Sequence, residues 1–192
     1  FSEPISGLTA ASLTVAGTEG QSGASISAVS PGGTAQVWTV TVGTISDAEG
    51  TIRLDLDRRL GDIVDTADPP NAMAASFAAG ESYTIDRAVP EILAIARHTP
   101  LMPRTNANQV VFVLSFSEPV VGLTAGNIMI NADDGQTGAA IDQIDGAGSL
   151  WRIHVDAGPG DGFLRLDLTE DLDMLLDRAG NTVAAPFLDG EA

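Results

Sequence analysis

The stretch that decides the fold is FSEPISGLTA at residues 1–10, because it recurs as FSEPVVGLTA at residues 116–125. Further on, after small deletions in turn-like sequence, IRLDL at 52–56 matches LRLDL at 164–168. Self-similarity at a nearly constant spacing is typical of repeated structural units. The sequence therefore predicts two domains, repeat 1 over residues 1–86 and repeat 2 over residues 87–192.

Within each copy, apolar and polar residues alternate. In WRIHV at 151–155 and in LRLDL at 164–168 every second residue is apolar, which indicates strands with one buried face. Clusters of Gly, Pro, Asn and Asp separate such runs at intervals of about ten residues, as in β-sandwiches. The pattern predicts an all-β fold. In repeat 2 it places seven strands, near residues 91–96, 109–116, 128–131, 140–144, 150–155 and 163–168 and beyond residue 187, with a short helical turn at 170–176.

The two copies are unequally complete in this pattern. Phe1 corresponds to Phe116, which ends the second predicted strand, so repeat 1 is expected to lack its N-terminal strands. Repeat 2 is expected to lack its last strand, since its sequence stops where repeat 1 continues into residues 82–86. Either the ends of a longer chain are missing, or neighbouring chains supply these strands, as in donor-strand assembly.

The net charge of the chain limits the classes of partner that it is expected to bind. Nine basic residues, all arginine, stand against 26 acidic residues and give a net charge of -17. A nucleic-acid partner is excluded on this reasoning, because binding phosphates needs a cationic face. The acidity suits either a surface that binds divalent cations or a merely soluble one. Without cysteine there is neither a disulfide nor a thiolate metal site, and no apolar run is long enough for a membrane span.

Four motifs resemble bacterial immunoglobulin-like repeats of large surface adhesins and other exported repeat proteins. They are the FSEP-[IV]-x-GLTA signature, the [IL]-RLDL strand, DRAGN at 177–181 and GESYTID at 80–86. The resemblance implies two tandem immunoglobulin-like antiparallel β-sandwiches in a rod-like array at the cell surface. It also implies a stalk, often stiffened by calcium, and no catalysis. Repeat 1 departs from the short DRAGN form, because DTADPPN at 65–71 is longer.

Acidic loops at the expected junction of the repeats form the candidate ion site. Ca²⁺ takes six to eight oxygen ligands from carboxylates, amides and backbone carbonyls, which such loops supply. The alternative is that each acid is solvated or caps a turn, and no EF-hand spacing is present. The predicted calcium ligands are Asp47, Glu49, Asp86, Glu118, Asp177 and Asn181.

Other conspicuous residues have structural interpretations. His98 and His154 belong to no His/Ser/Asp constellation, so the sequence predicts no enzyme and no catalytic residues. Trp38 and Trp151 are in phase with core residues. The Arg and Asp of each RLDL motif are expected on an exposed sheet face, as pairs of little energetic weight.

The predicted function is a structural spacer or stalk of an exported bacterial adhesin or surface fibre, stiffened by calcium between repeats. One alternative is a subunit of a self-assembling extracellular filament or virion appendage that uses strand donation. Another is an accessory module of a secreted hydrolase. The expected partners are neighbouring repeats or neighbouring subunits, and a host or surface receptor is expected to bind through other domains. The expected location of the protein is outside the cell or on the cell surface.

Overall fold

A computed structural model describes residues 1–133, 135–169, 171–188 and 190–191. It confirms the all-β prediction: the regular elements are antiparallel strands and a few short 3-10 turns. The chain divides into two compact units, Phe1–Arg87 (unit 1) and Ala88–Ala192 (unit 2). Each unit is described by itself.

Unit 1 is built from three small sheets. The strand orders are β2-β5-β7, β3-β4 and β1-β6. Its core contains five buried apolar residues, among them Ile5, Leu8 and Ile63, against which Trp38 and Val40 pack. The strands are β1 (Ile5–Ser6), β2 (Leu13–Gly17), β3 (Ser25–Pro31), β4 (Trp38–Gly43), β5 (Gly50–Leu56), β6 (Val64–Asp65) and β7 (Ser82–Ile85).

Unit 2 has two sheets, with strand orders β11-β9-β8 and β10-β12. Alternating residues of these strands meet in a larger core, in which Leu114, Ile153, Val155, Leu166 and Leu168 are fully buried. The strands are β8 (Ile92–Thr99), β9 (Gln109–Val120), β10 (Ile128–Ala132), β11 (Ala140–Asp156) and β12 (Leu164–Leu168).

Three details of unit 2 differ from the sequence predictions. The sequence predicts a strand beyond residue 187, but among the described residues no strand follows β12. The two strands expected at 140–144 and 150–155 are assigned as one, β11, but the chain reverses inside it at Gly146 and Gly148, which have positive φ. Of the residues predicted as a helical turn, Glu170 lies outside the described ones. The others form a turn, and Leu176 bridges Val121 instead of entering a helix.

The signature segment has the same structure in both units. Ser6 pairs with Val64 in unit 1, and the equivalent Val121 pairs with Leu176 in unit 2. The glycine that follows this paired residue has a positive φ, 84° at Gly7 and 91° at Gly122. A Cβ there would overlap the carbonyl oxygen of the facing loop, so glycine is required for both conformation and space.

The Leu and Thr of the GLTA sequence also have local structural roles. Leu8 and Leu123 are buried. The amide N–H of Thr9 donates to Ser12 Oγ, and that of Thr124 donates to Asn127 Oδ1. These bonds begin a 3-10 turn that leads into β2 and β10 respectively. The GLTA sequence is therefore a loop contact followed by a turn.

The close approach at Gly122 predicts a large mutational effect. We expect Gly122→Ala to destabilise unit 2 by more than about 3 kcal/mol, since both backbone strain and overlap with Met174 O oppose it. Gly180→Ala is the matched control, because Gly180 also has positive φ but faces open space, so only about 1 kcal/mol of strain applies. Denaturant unfolding followed by Trp151 fluorescence, with Trp38→Phe as background, measures both. Equal effects would contradict the overlap argument.

Candidate functional site

The six predicted ligands are divided between the units. Asp47 and Glu49 lie in the turn between β4 and β5, and Asp86 directly follows β7. Glu118, Asp177 and Asn181 belong to unit 2. The grouping of residues from both units around one ion stays a prediction.

The turn that carries Asp47 is held by a buried amide. Gln21, which has no exposed surface, donates from Nε2 to the carbonyl oxygens of Ile45 and Ala48 and accepts from the Ile45 N–H. Asp47 itself has a left-handed φ of 58°. Gln21 therefore holds this turn against the GQSGA segment at 20–24.

The side chain of Asp177 holds the loop at 177–181 together through hydrogen bonds, an arrangement called here the Asp177 brace. Its Oδ1 accepts hydrogen bonds from the backbone N–H groups of Ala179, Gly180 and Asn181, at 2.8, 2.6 and 2.8 Å, and its Oδ2 accepts from Asn181 Nδ2 at 2.8 Å. The side chain is buried, at 4% exposure. Burial alone would raise the pKa of Asp177, but the hydrogen bonds from Asn181, Gly180 and Ala179 together lower it.

Unit 1 has the same brace in a longer loop. Asp65 Oδ1 accepts from the N–H groups of Ala67 and Asn71, and its Oδ2 accepts from Asn71 Nδ2. Hydrogen bonds from the Asn71 side chain and backbone lower the pKa of Asp65. The departure of repeat 1 from the DRAGN form therefore changes the loop length but keeps the bonding between Asp and Asn.

Within unit 2, one of the predicted acids comes close to the brace. A carboxylate oxygen of Glu118 lies within 4.8 Å of one of Asp177. Glu118 is half-buried near the end of β9, and the bridge between Val121 and Leu176 fixes the two chain segments side by side. Two carboxylates at this separation repel each other in a low dielectric, and a hard cation between them would remove that repulsion. Asn181 contacts Asp177 and completes the group of oxygen-bearing side chains.

The Arg and Asp of the RLDL motifs are not an exposed pair, so that prediction is wrong. Asp55 and Asp167 are buried, at 8% and 1% exposure. Arg53 binds Asp55 through two nitrogens, at 2.7 and 2.8 Å. Arg165 binds Asp167, whose carboxylate also accepts from Asn131 on β10. The hydrogen bond from Arg53 lowers the pKa of Asp55.

The sequence analysis did not predict one cluster of charged side chains in unit 2. His154 Nε2 lies 2.8 Å from Asp145 Oδ2, and Arg152 Nη1 lies 3.4 Å from Asp145 Oδ1. Hydrogen bonding to His154 lowers the pKa of Asp145. The signal in the sequence was the glycine pair at 146 and 148, because a reversal there brings 145 opposite 152 and 154. The group links the two arms of β11.

Unit 2 also contains a cavity of about 610 Å³. It is lined by the β8–β9 loop at residues 99–108, by Gln136 and by the β11–β12 loop at 157–163. Gln136 Nε2 donates to Ala157 O, while its Oε1 is buried without a partner among the described atoms. Sequence reasoning missed this cavity, since its walls are loops rich in Gly and Pro that carry no periodic pattern.

Comparison with family models, curated proteins and solved structures finds no match to this chain. Among the described residues, no helix has the length and apolar character that crossing a membrane requires.

The lowered pKa of Asp177 predicts how unit 2 responds to acid. A folded-state pKa below the unfolded value of about 3.9 contributes stability above that pH, and the contribution is lost as the pH falls through the folded pKa. We therefore expect the free energy of unfolding to decrease between about pH 5 and pH 2, and to decrease less steeply in Asp177→Asn.

Asp173→Asn is the matched control, because Asp173 is exposed in the same loop and its replacement changes the net charge equally. Denaturant titrations across this pH range, read by Trp151 fluorescence, measure the slopes. A slope in Asp177→Asn as steep as in the unchanged chain would contradict the role of the brace.

Proposed function

We propose that the chain is a structural spacer of tandem immunoglobulin-like repeats in an exported bacterial adhesin or surface fibre. The observation that carries this proposal is that the chain forms two units, each with its own apolar core. The matched strand pairs keep the same register: Leu13 lies opposite Leu56, and the equivalent Ile128 lies opposite Leu168. A spacer needs units that fold separately and resist extension.

The surface chemistry supports the same proposal. Among the described residues, the buried acids are held by arginines or by backbone N–H groups, and most of the other acidic side chains are exposed. Such a surface stays hydrated and resists nonspecific association. These properties suit an extracellular stalk whose neighbours are further repeats or subunits, with receptor binding left to other domains.

Mechanical extension tests the spacer proposal. When the chain is pulled from its ends, we expect two separate unfolding steps that release about 30 nm and about 35 nm of chain, corresponding to 87 and 105 residues. Leu166→Ala is the control, because it removes a fully buried side chain of unit 2 and lowers the force of the longer step only. Single-molecule force spectroscopy measures both. Smooth extension without force peaks would overturn the proposal.

Calcium is the second part of the proposal. The two carboxylates of Glu118 and Asp177 within 4.8 Å, with the amide of Asn181 beside them, support binding of a hard cation at this end of unit 2. Neutralising these charges would stabilise the segment that ends β9 against the Asp177 loop.

Melting experiments with and without Ca²⁺ test this part. At 100 times the dissociation constant, we expect Ca²⁺ to stabilise unit 2 by about 2.7 kcal/mol and to raise its unfolding midpoint. Glu118→Gln should abolish the shift, whereas Glu3→Gln, at the equivalent position of repeat 1, should leave it. Titration calorimetry that detects no bound ion, together with an unchanged midpoint, would contradict calcium binding and leave the spacer proposal standing.

A further inference from the structure

The loop at 100–108 joins β8 to β9 without regular structure of its own. Residues 101–108 are all exposed, including Leu101 at 74% and Met102 at 71%. Among the described residues, the backbone groups of 100–106 pair with no other backbone group. Exposed loop backbone of this kind is where proteases preferentially cut folded proteins.

Arg104 lies in the middle of this loop, and its side chain is exposed. Within the described part of the chain it forms no ion pair. The surrounding stretch 92–117 contains no acidic residue, although the whole chain has 26. The guanidinium of Arg104 is therefore available to an acidic specificity pocket, such as the aspartate pocket of trypsin.

The neighbours of Arg104 in the sequence favour cleavage after it. Pro103 fixes its own φ near −65° and biases Met102 towards extended backbone. The residue after Arg104 is Thr105, so the peptide bond that follows Arg104 is not blocked by proline. A loop that is already exposed can enter the cleft of a protease without an opening step.

Seven of the other eight arginines lie in strands or in hydrogen-bonded loops. The backbone N–H of Arg58 donates to Ser12 O, and the carbonyl of Arg59 accepts from the N–H of Asp62. Arg178 lies inside the Asp177 brace. The four in strands are Arg53, Arg97, Arg152 and Arg165. In these places cleavage requires local unfolding first.

Arg87 is the eighth, and it lies in a short segment between β7 and β8. Its Nη2 donates to Thr44 Oγ1 at 3.0 Å. Pro90, three residues further on, is fully buried. The segment after Arg87 is therefore anchored too soon to extend into a protease cleft.

We propose that the loop between β8 and β9 is a processing site for an arginine-specific endoprotease, which hydrolyses the bond between Arg104 and Thr105. The reaction breaks the bond from the carbonyl carbon of Arg104 to the nitrogen of Thr105. The oxygen of the water stays on the new carboxylate of Arg104, and its two protons go to the new amine of Thr105.

The cleaved chain stays assembled through β8. This strand pairs antiparallel with β9, from Ile92 opposite Phe116 to Thr99 opposite Val111. Ile95 of β8 is 2% exposed and belongs to the core of unit 2. Cleavage therefore leaves β8 in unit 2 although it now belongs to the fragment 1–104. Strand pairing and core packing replace the covalent link to the fragment 105–192.

Limited digestion of the whole 192-residue chain with trypsin tests the proposal. Because the chain contains no lysine, its nine arginines are the only targets of trypsin. We expect the first cut after Arg104, at least about tenfold faster than any other, with fragments 1–104 and 105–192 identified by intact-mass spectrometry.

Three variants assign the cut. Arg104→Gln should slow the first cut at least about tenfold, whereas Arg104→Lys should keep it, since the aspartate pocket of trypsin also accepts an ammonium group. Arg58→Gln is the matched control and should leave the cut unchanged. A first cut at another arginine, or an unchanged cut in Arg104→Gln, would overturn the proposal.

Leu166→Ala distinguishes cleavage of the folded loop from cleavage after unfolding. The change removes a fully buried side chain and therefore raises the unfolded fraction of unit 2. Cleavage that needs unfolding accelerates with that fraction, whereas cleavage of the folded loop does not. We expect the rate at Arg104 to stay within about twofold. A rate that rises with the unfolded fraction would contradict a processing site in the folded protein.

Gel filtration of the cleaved chain tests the role of β8. The fragments 1–104 and 105–192 should elute together without denaturant and separately in guanidinium chloride. Fragments that separate without denaturant would show that β8 does not hold the cleaved chain together.

Discussion

The contact on which both units depend is the backbone-to-backbone approach of the signature segment to the loop after the RLDL strand. Gly7 and Gly122 reach a carbonyl oxygen that any Cβ would displace. This approach allows Ser6 to pair with Val64 and Val121 to pair with Leu176. It fixes the end of one strand against the start of a distant loop, and the braces and the acidic pair of unit 2 all follow from that placement.

The two units differ in what covers their equivalent strands. In unit 2, β9 covers β11, and its alternate side chains bring the core to complete burial. In unit 1, the equivalent valines and leucines keep part of their surface in water. Full burial of such a side chain contributes about 1.5–3 kcal/mol, so several half-buried positions represent a substantial part of the stability of a small domain.

Much of this fold could be predicted because the sequence is repeated. Two copies with the same packing show which positions of each strand face the core. Alternation located β9, β10 and β12 from residue types alone. The burial of Asp55 and Asp167 was not predictable, since alternation assigns them to the outer face and only the finished sheet shows the arginine that covers them. The Asp177 brace was also missed, because its donors are backbone N–H groups, which leave no trace in the sequence.

The acidity of the chain and its open sheet edge are connected. An unpaired strand edge invites pairing with any other edge, including that of an identical chain. Native proteins often oppose such pairing with lysines or prolines on the edge, but this chain contains no lysine, and β4 contains no proline. Its net charge of -17 acts instead at the level of the whole molecule, since two copies repel each other before their edges meet. That repulsion is screened by salt within about 10 Å at 0.1 M, so its strength depends on the ionic strength of the surroundings.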